Sequence, residues 1–289
     1  MRIMGTTLAG RDQGLPGDSA HRARLDAELV RRGLARSREH AVDLITAGNV
    51  RVDGRPVAKP ARRVAADEVC EVDSPGPEFV SRGGHKLAGA LAAFGPLGLT
   101  VDGRRCLDAG ASTGGFTDAL LRAGARQVVA VDVGRDQLVA ELRDHPAVDV
   151  HERTHVRDLD PAQVGGAVDL LVADLSFISL TTVLPALSGL VRPGGDLVLL
   201  VKPQFEVGRS RLGKGGVVRE RALRHDAVRT VATASGAVGL GVAGATVSPL
   251  PGPAGNTEYF LWLRADAPLW DDTILATLDP PGSPKETSL

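Results

Sequence analysis

Residues 105 to 118, Arg105-Cys-Leu-Asp-Ala-Gly-Ala-Ser-Thr-Gly-Gly-Phe-Thr-Asp118, run apolar up to Asp108 and then open into a glycine-rich turn. The pattern predicts a buried strand, a tight loop and the start of a helix. Gly110, Gly114 and Gly115 remove side chains where backbone must bend and approach a ligand, and the free N–H groups of the helix start favour an anionic group. The next strand, Gln127-Val-Val-Ala-Val-Asp132, ends in a carboxylate 22 residues after Gly110, about where such folds place the acid that grips ribose hydroxyls. Two strands thus aim at one nucleotide-like ligand. The competing reading is a tight turn that simply needs small residues.

The glycine spacing, Gly-x-x-x-Gly-Gly, departs from the dinucleotide fingerprint Gly-x-Gly-x-x-Gly. Such a loop suits a ligand with an amino-acid carboxylate better than one with a pyrophosphate, and S-adenosylmethionine is such a ligand. The residues placed around it are Asp108, Gly110, Ser112, Thr113, Gly114, Gly115, Phe116 and Asp132.

At 289 residues the chain has room for one large α/β domain and a small second one. Its formal net charge of −1 excludes a molecule that is basic throughout, so a surface for a polyanion must be local. Cys70 and Cys106 are too few and too isolated for a disulfide framework or a metal site, and read as apolar filler in a reducing compartment. No run approaches the roughly 18 apolar residues of a membrane helix, and the N-terminus lacks a secretory apolar core. The expectation is a cytoplasmic protein with no membrane partner and no metal.

Residues 1–21 mix Gly, Pro, Asp and Ser without period and read as a flexible leader. From Arg22 the pattern is helical: Leu25, Leu29 and Val30 recur on one face, Gly33 stops the segment, and Ser37 is placed to cap a second helix with Ala41, Leu44 and Ile45 inward. A hairpin follows around Asp53-Gly54, and Val69 to Val72 adds a further strand. Arg22 through Arg63 carry eleven Lys or Arg against five Asp or Glu, a local +6 that leaves −7 for the rest of the chain. An excess this local suits a phosphate backbone.

The segments Arg24-Leu-Asp-Ala-Glu-Leu-Val-Arg-Arg-Gly-Leu-Ala-Arg-Ser-Arg38 and Ala47-Gly-Asn-Val-Arg-Val-Asp-Gly-Arg-Pro-Val57 resemble the S4 domain, a small α+β RNA-binding module, over residues 22–73. The resemblance implies an RNA-facing surface lined by Arg31, Arg32, Arg36, Arg38 and Arg51. A Pro- and Gly-rich linker at 74–78 then ends this unit.

From Phe79 to about Arg264, apolar runs alternate with helical patterns, the signature of a mainly parallel sheet covered on both faces. Strands are expected at the two runs above and at Val148–Glu152, Val168–Asp174, Asp196–Lys202, Val242–Val247 and Glu258–Leu263. The last pair, with no helix between them, suggests an antiparallel strand at the end of a seven-stranded Rossmann-like sheet. Residues 265–289 read as a disordered tail.

Ligands of open α/β sheets lie outside the carboxyl ends of the strands. Asp174 follows Leu-Leu-Val-Ala and Lys202 follows Leu-Val-Leu-Leu-Val, and a charge after so apolar a run needs solvent or a partner. The set Ser81-Arg-Gly-Gly-His-Lys-Leu87, Leu107 to Thr117, Ala173-Asp-Leu-Ser-Phe-Ile-Ser-Leu180, Val201-Lys-Pro-Gln-Phe-Glu-Val-Gly208 and Gly255-Asn-Thr-Glu-Tyr-Phe-Leu-Trp-Leu263 resembles the TlyA-type, hemolysin-like ribosomal RNA 2′-O-methyltransferases, relatives of the FtsJ-like enzymes. The resemblance implies a class I methyltransferase domain over 79–264, S-adenosylmethionine as cofactor, and ribosomal RNA or ribosomal subunits as partner, with cytidine favoured. It maps a Lys-Asp-Lys-Glu tetrad onto Lys86, Asp174, Lys202 and Glu258.

A ribose 2′-hydroxyl must lose its proton as it attacks a sulfonium methyl. A lysine, ordinarily titrating near ~10.4, accepts that proton only in its neutral form. Lys202 is the favoured base and Lys86 the group that steers phosphate or hydroxyl, with the exchange of roles left open. Phe177 and Phe205 read first as core packing and second as a platform for a splayed base. The loop Gly208 to Gly216 is basic and glycine-rich, suited to an RNA-contacting lid, but lacks a P-loop ending. A membrane-active hemolysin and an inactive S4-tethered RNA-binding protein are the alternative functions.

Overall fold

The computed structural model describes residues 2–3, 22–35, 38–46, 48–73, 79–208 and 211–278. The chain divides into two compact units, Met1–Glu78 and Phe79–Leu289. The expected linker 74–78 lies outside the described residues, as do Arg36, Ser37 and most of the leader.

In the first unit β1 (Arg2–Ile3) pairs antiparallel with β6 (Cys70–Asp73), so Arg2 and Ile3 of the segment expected to be a flexible leader extend a sheet. An open strand edge offers unpaired N–H and C=O groups, which a short segment of any composition can satisfy. β2 (Ala23–Arg24) leads into α1 (Leu25–Arg31) and α2 (Arg38–Thr46). The hairpin of β3 (Val50–Val52) and β4 (Arg55–Pro56) turns at Asp53 and Gly54, whose φ values of 49° and 72° are those of the two-residue turn that the sequence predicts. β5 (Arg63–Val64) pairs with β2. Leu25, Leu29, Ala41, Ile45, Val50 and Val52 form the core.

The second unit opens with α3 (Arg82–Phe94), then β7 (Arg105–Ala109), α4 (Gly115–Arg122), β8 (Gln127–Val131), α5 (Ala140–Arg143), β9 (Val148–His151) and β10 (Val168–Ala173). It continues through α6 (Leu180–Gly189), β11 (Val191–Val201), α7 (Pro203–Glu206), α8 (Arg221–Gly236), β12 (Gly241–Val247) and β13 (Tyr259–Arg264). The sheet order is β12-β13-β11-β10-β7-β8-β9. Along β10, Leu170 and Val172 enter the core on the α3 side while Leu171 and Ala173 enter the core on the other, which is why its run is apolar throughout.

Two expectations need correction. The antiparallel strand β13 is not at the end of the sheet: it lies between β11 and β12 and is antiparallel to both. Tyr259 to Leu263 are all buried and need a neighbour on each side, whereas the Gly- and Ala-rich β12 tolerates the half-exposed edge. The tail is also ordered as far as residue 278. After a 3-10 turn at Asp272–Ile274, α9 (Leu275–Leu278) buries Leu275 and Leu278 in the larger core. The spacing of Ile274, Leu275 and Leu278 is helical, a signal that the polar composition around it hides. Residues 279–289 lie outside the described residues.

Candidate active site

Strand register gathers the site. Ala173 pairs with Ala109 and Ala109 with Val131, so the residues that follow, Asp174, Gly110 and Asp132, emerge side by side at one edge of the sheet. Val201 pairs with Tyr259 of the antiparallel β13, so Lys202 and Glu258 flank that pair at the same edge. α3 brings Lys86 from the adjacent layer, where Leu87, Ala90 and Phe94 fix its helix in the core.

The four tetrad residues form two ion pairs. Lys86 Nζ donates to Glu258 Oε2 at 2.6 Å with both side chains buried. Lys202 Nζ lies 2.6 Å from Asp174 Oδ1 and donates to Ser176 Oγ at 2.9 Å. Each lysine therefore faces its own carboxylate. Ser176 was missed by the sequence reading, although a hydroxyl two residues beyond Asp174 in Ala-Asp-Leu-Ser-Phe was the available signal.

Beside this edge lies a cavity of about 790 Å³, lined among others by Gly110, Ser112, Asp132, Val133, Val156 and Phe177. Its volume suits a small nucleoside cofactor. Asp132 accepts the backbone N–H of Ser112 at 2.8 Å and of Gly134 at 2.6 Å, one on each carboxylate oxygen. Each oxygen keeps a further lone pair for a ligand hydroxyl. Val133, two-thirds exposed, supplies an apolar wall.

The glycines answer to the protein more than to a ligand. A Cβ at Gly110 would lie 2.6 Å from the carbonyl oxygen of Asp174, one at Gly114 2.3 Å from Leu142, and one at Gly115 2.3 Å from Ser81 Oγ. Gly110 and Gly114 also sit at φ of 88° and 101°. The packing of the neighbouring loop and helices by itself requires glycine at these three positions, and Gly110 also lines the cavity. Phe116 is in the core against Phe260, with ring centroids 6.0 Å apart, and does not line the cavity. Asp108 is likewise fully buried beneath the loop; it accepts from Thr117 Oγ1 at 2.7 Å, and its Oδ1 has no hydrogen-bond partner. Burial, reinforced by the charges of Asp174 and Asp132, pushes its carboxyl up to about 7 against the Thr117 hydrogen bond. Thr113 lies in the loop, where its carbonyl accepts from Val139 N.

Phe177 overturns the core reading. It is 92% exposed, has φ of 65°, and its ring meets that of Phe205 at 5.3 Å. Lys202 Nζ lies 6.0 Å from the Phe205 ring. Asn256, also missed, is buried: its Oδ1 accepts from Val218 N at 2.9 Å and its Nδ2 donates to Gly216 O at 3.1 Å, which fastens the end of the glycine-rich loop to the turn before Glu258.

In the first unit the arginines placed on an RNA face hold partners of their own. Arg31 and Arg32 both donate to Glu28, and Arg32 also donates to the carbonyls of Glu68 at 2.6 Å and Ala65 at 3.1 Å. Arg38 reaches Asp26 at 3.2 Å and Arg51 reaches Asp73 at 2.8 Å. Arg32, with the most enclosed side chain of the four, is a structural clamp. Arg31 and Arg38 keep most of their surface in solvent.

An FtsJ-like methyltransferase family model matches residues 79–265, and an S4 domain model matches residues 23–70. The chain is 58% identical to the 16S/23S rRNA (cytidine-2′-O)-methyltransferase TlyA of Mycobacterium tuberculosis (strain CDC 1551 / Oshkosh) over 246 residues, which cover 85% of this chain and 91% of that one. It is 37% identical to hemolysin A of Brachyspira hyodysenteriae, over 82% of this chain and 97% of that one. Among solved structures, a Streptococcus thermophilus protein that carries a hemolysin name superposes with a TM-score of 0.70 at 36% identity, covering 90% of this chain and 96% of that one. Among the described residues no helix is long and apolar enough to cross a membrane. With its nucleoside-sized cavity, its two lysine–carboxylate ion pairs beside it and these matches over both units, the chain belongs to the FtsJ-like methyltransferase family and carries an S4 domain ahead of the methyltransferase domain.

Proposed function

We propose that this chain methylates the 2′-hydroxyl of a cytidine ribose in ribosomal RNA, using S-adenosylmethionine. The observation that carries the reading is the placement of Lys202 Nζ, held by Asp174 and Ser176 at the lip of the nucleoside-sized cavity. The 58% identity to an enzyme of that activity supports the substrate class.

Asp132 would hold the cofactor's ribose hydroxyls, and Ser112 and Gly110 would border it from the loop after β7. When bound, the cofactor supplies an electrophilic methyl group on a sulfonium. Lys202 in its neutral form accepts the proton of the 2′-hydroxyl as the oxygen attacks. Asp174 and Ser176 fix the direction of Nζ, so that the lone pair meets the hydroxyl without a search over rotamers. Lys86, neutralised by Glu258, orients the hydroxyl or the adjacent phosphate.

Phe177 offers its exposed ring, backed by Phe205, to a base turned out of its stack; stacking of this kind contributes about 1–3 kcal/mol per base. The first unit, through exposed arginines such as Arg31 and Arg38, holds the RNA backbone, and its affinity falls with salt. The direct test incubates purified chain with labelled S-adenosylmethionine and ribosomal RNA or subunits, then maps 2′-O-methyl sites. Label on ribose oxygen of cytidine is the expected result; label on a base nitrogen or carbon would refute the reading.

A further inference from the structure

We infer that Glu206 is a positioning residue, a brace whose carboxylate holds the loop after β10 so that Phe177 stands out beside Lys202; the inference rests on the proposed function for its catalytic consequence.

Three rungs join the loops that follow the adjacent parallel strands β10 and β11. The first is Lys202 with Asp174 and Ser176, at 2.6 and 2.9 Å. The second is the ring pair Phe177 and Phe205, at 5.3 Å. The third is Glu206, whose Oε2 accepts from Ser179 Oγ at 2.6 Å and whose Oε1 accepts from Leu180 N at 2.9 Å. The rungs follow one another in sequence along both loops, so Phe177 is fastened on each side.

That fastening is needed. An aromatic ring left 92% exposed gains little from burial, and a non-glycine residue at φ of 65° is in a sparsely populated backbone region that persists only where its surroundings over-determine it. On the upstream side Asp174 N donates to Ala109 O at 3.0 Å and anchors the loop to the sheet. On the downstream side Glu206 does so, by taking the first free N–H of α6 and the hydroxyl of its cap, Ser179. The carboxylate lies at the positive end of the ten-residue helix, where negative charge is favoured. Burial pushes its carboxyl above the ordinary value against both hydrogen bonds, so the side chain is held in an environment that disfavours its charge rather than resting in solvent.

A cap that only stabilises α6 would act on the whole fold; a brace acts through Phe177. A double-mutant cycle of Glu206→Ala and Phe177→Ala, read as kcat/KM for methyl transfer to ribosomal RNA, separates them. Each single change should lower the value about tenfold, and the double variant should be no worse than Phe177→Ala alone. Glu206→Gln should retain most activity, since its amide oxygen still accepts from Leu180 N and its amide N–H can donate to Ser179 Oγ. Hydrogen exchange without RNA supplies the second reading: Glu206→Ala should speed exchange across 175–180 and leave 105–118 at the parental rate. Multiplying losses in the double variant, or parental exchange across 175–180, overturns the brace. A parent that transfers no methyl to RNA would sink the functional reading instead, and exchange would still decide the brace.

Discussion

Lys86 Nζ stands 2.6 Å from Glu258 Oε2 across 172 positions of sequence, and both side chains are buried. The pair joins α3 to the turn before β13 and so couples the tetrad to the fold. Removing one partner leaves an uncompensated buried charge, which costs about 3–5 kcal/mol. Glu258→Ala and Lys86→Met should each lower the unfolding free energy by about that much, and the double variant by less than their sum. Urea denaturation of the four proteins measures this, and strict additivity would show that the two groups do not act as a pair.

Lys202→Arg keeps the positive charge and approximate length but cannot lose a proton at accessible pH. Its single-turnover methyl transfer should fall by about 10²–10⁴-fold, the range of general-base catalysis, while S-adenosylmethionine affinity by calorimetry stays near the parental value. Lys86→Arg should retain more activity, because orienting a hydroxyl or phosphate needs charge rather than a lone pair. Substantial transfer by Lys202→Arg would assign the proton to another group or to solvent.

The skeleton of this site was legible because it depends on local pattern: an apolar run fixes a strand, and whatever follows the run emerges at the sheet edge. Gly110, Asp132, Asp174 and Lys202 were all placed that way; register then set Asp174, Gly110 and Asp132 side by side, with Lys202 following the last residue of the neighbouring β11. What local pattern does not encode is choice of partner. Lys86 pairs with Glu258 from an element far along the chain, and Lys202 pairs with Asp174 at the end of a neighbouring strand. Phe177 illustrates the same limit. An aromatic in Leu-Ser-Phe-Ile belongs in a core by composition, and only a left-handed backbone at that residue turns it outward. The arginines of the first unit show that a local charge excess locates a basic unit but not its free cations, since four of those expected on the RNA face also close ion pairs within the unit.

Arg32 and Arg38 should therefore separate. Arg32→Ala strips hydrogen bonds from the carbonyls of Glu68 and Ala65 and a partner from Glu28, and should destabilise the first unit by roughly 1–3 kcal/mol at neutral pH. The Glu28 carboxyl is held down to about 2 by Arg31 and then Arg32. A lowered carboxyl contributes stability above its unfolded value of 4.5 that is lost as pH falls toward about 2, so part of the Arg32→Ala deficit should shrink over that window. Arg38→Ala, more exposed, should instead weaken RNA binding and reduce its salt slope with little change in unfolding. Equal thermal shifts for the two variants would remove the distinction.

Asp108 carries the last prediction because its sign is opposite. Its carboxyl is pushed from 3.8 up to about 7, chiefly by burial, so the folded protein holds a proton that the unfolded chain has released. Such a group contributes stability that is fully present below the unfolded value and is lost as pH rises through the folded one. Asp108→Asn keeps an oxygen to accept from Thr117 Oγ1 but cannot ionise. Measured by denaturation without cofactor, the stability of Asp108→Asn relative to the parent should therefore rise between pH 4 and about 7 and level off above it. The absolute offset depends on how the new amide fits beside the unpartnered Oδ1 position, but the slope does not. A difference that stays flat across that window would mean that Asp108 is ionised in the folded state, with its charge compensated beneath the cofactor loop.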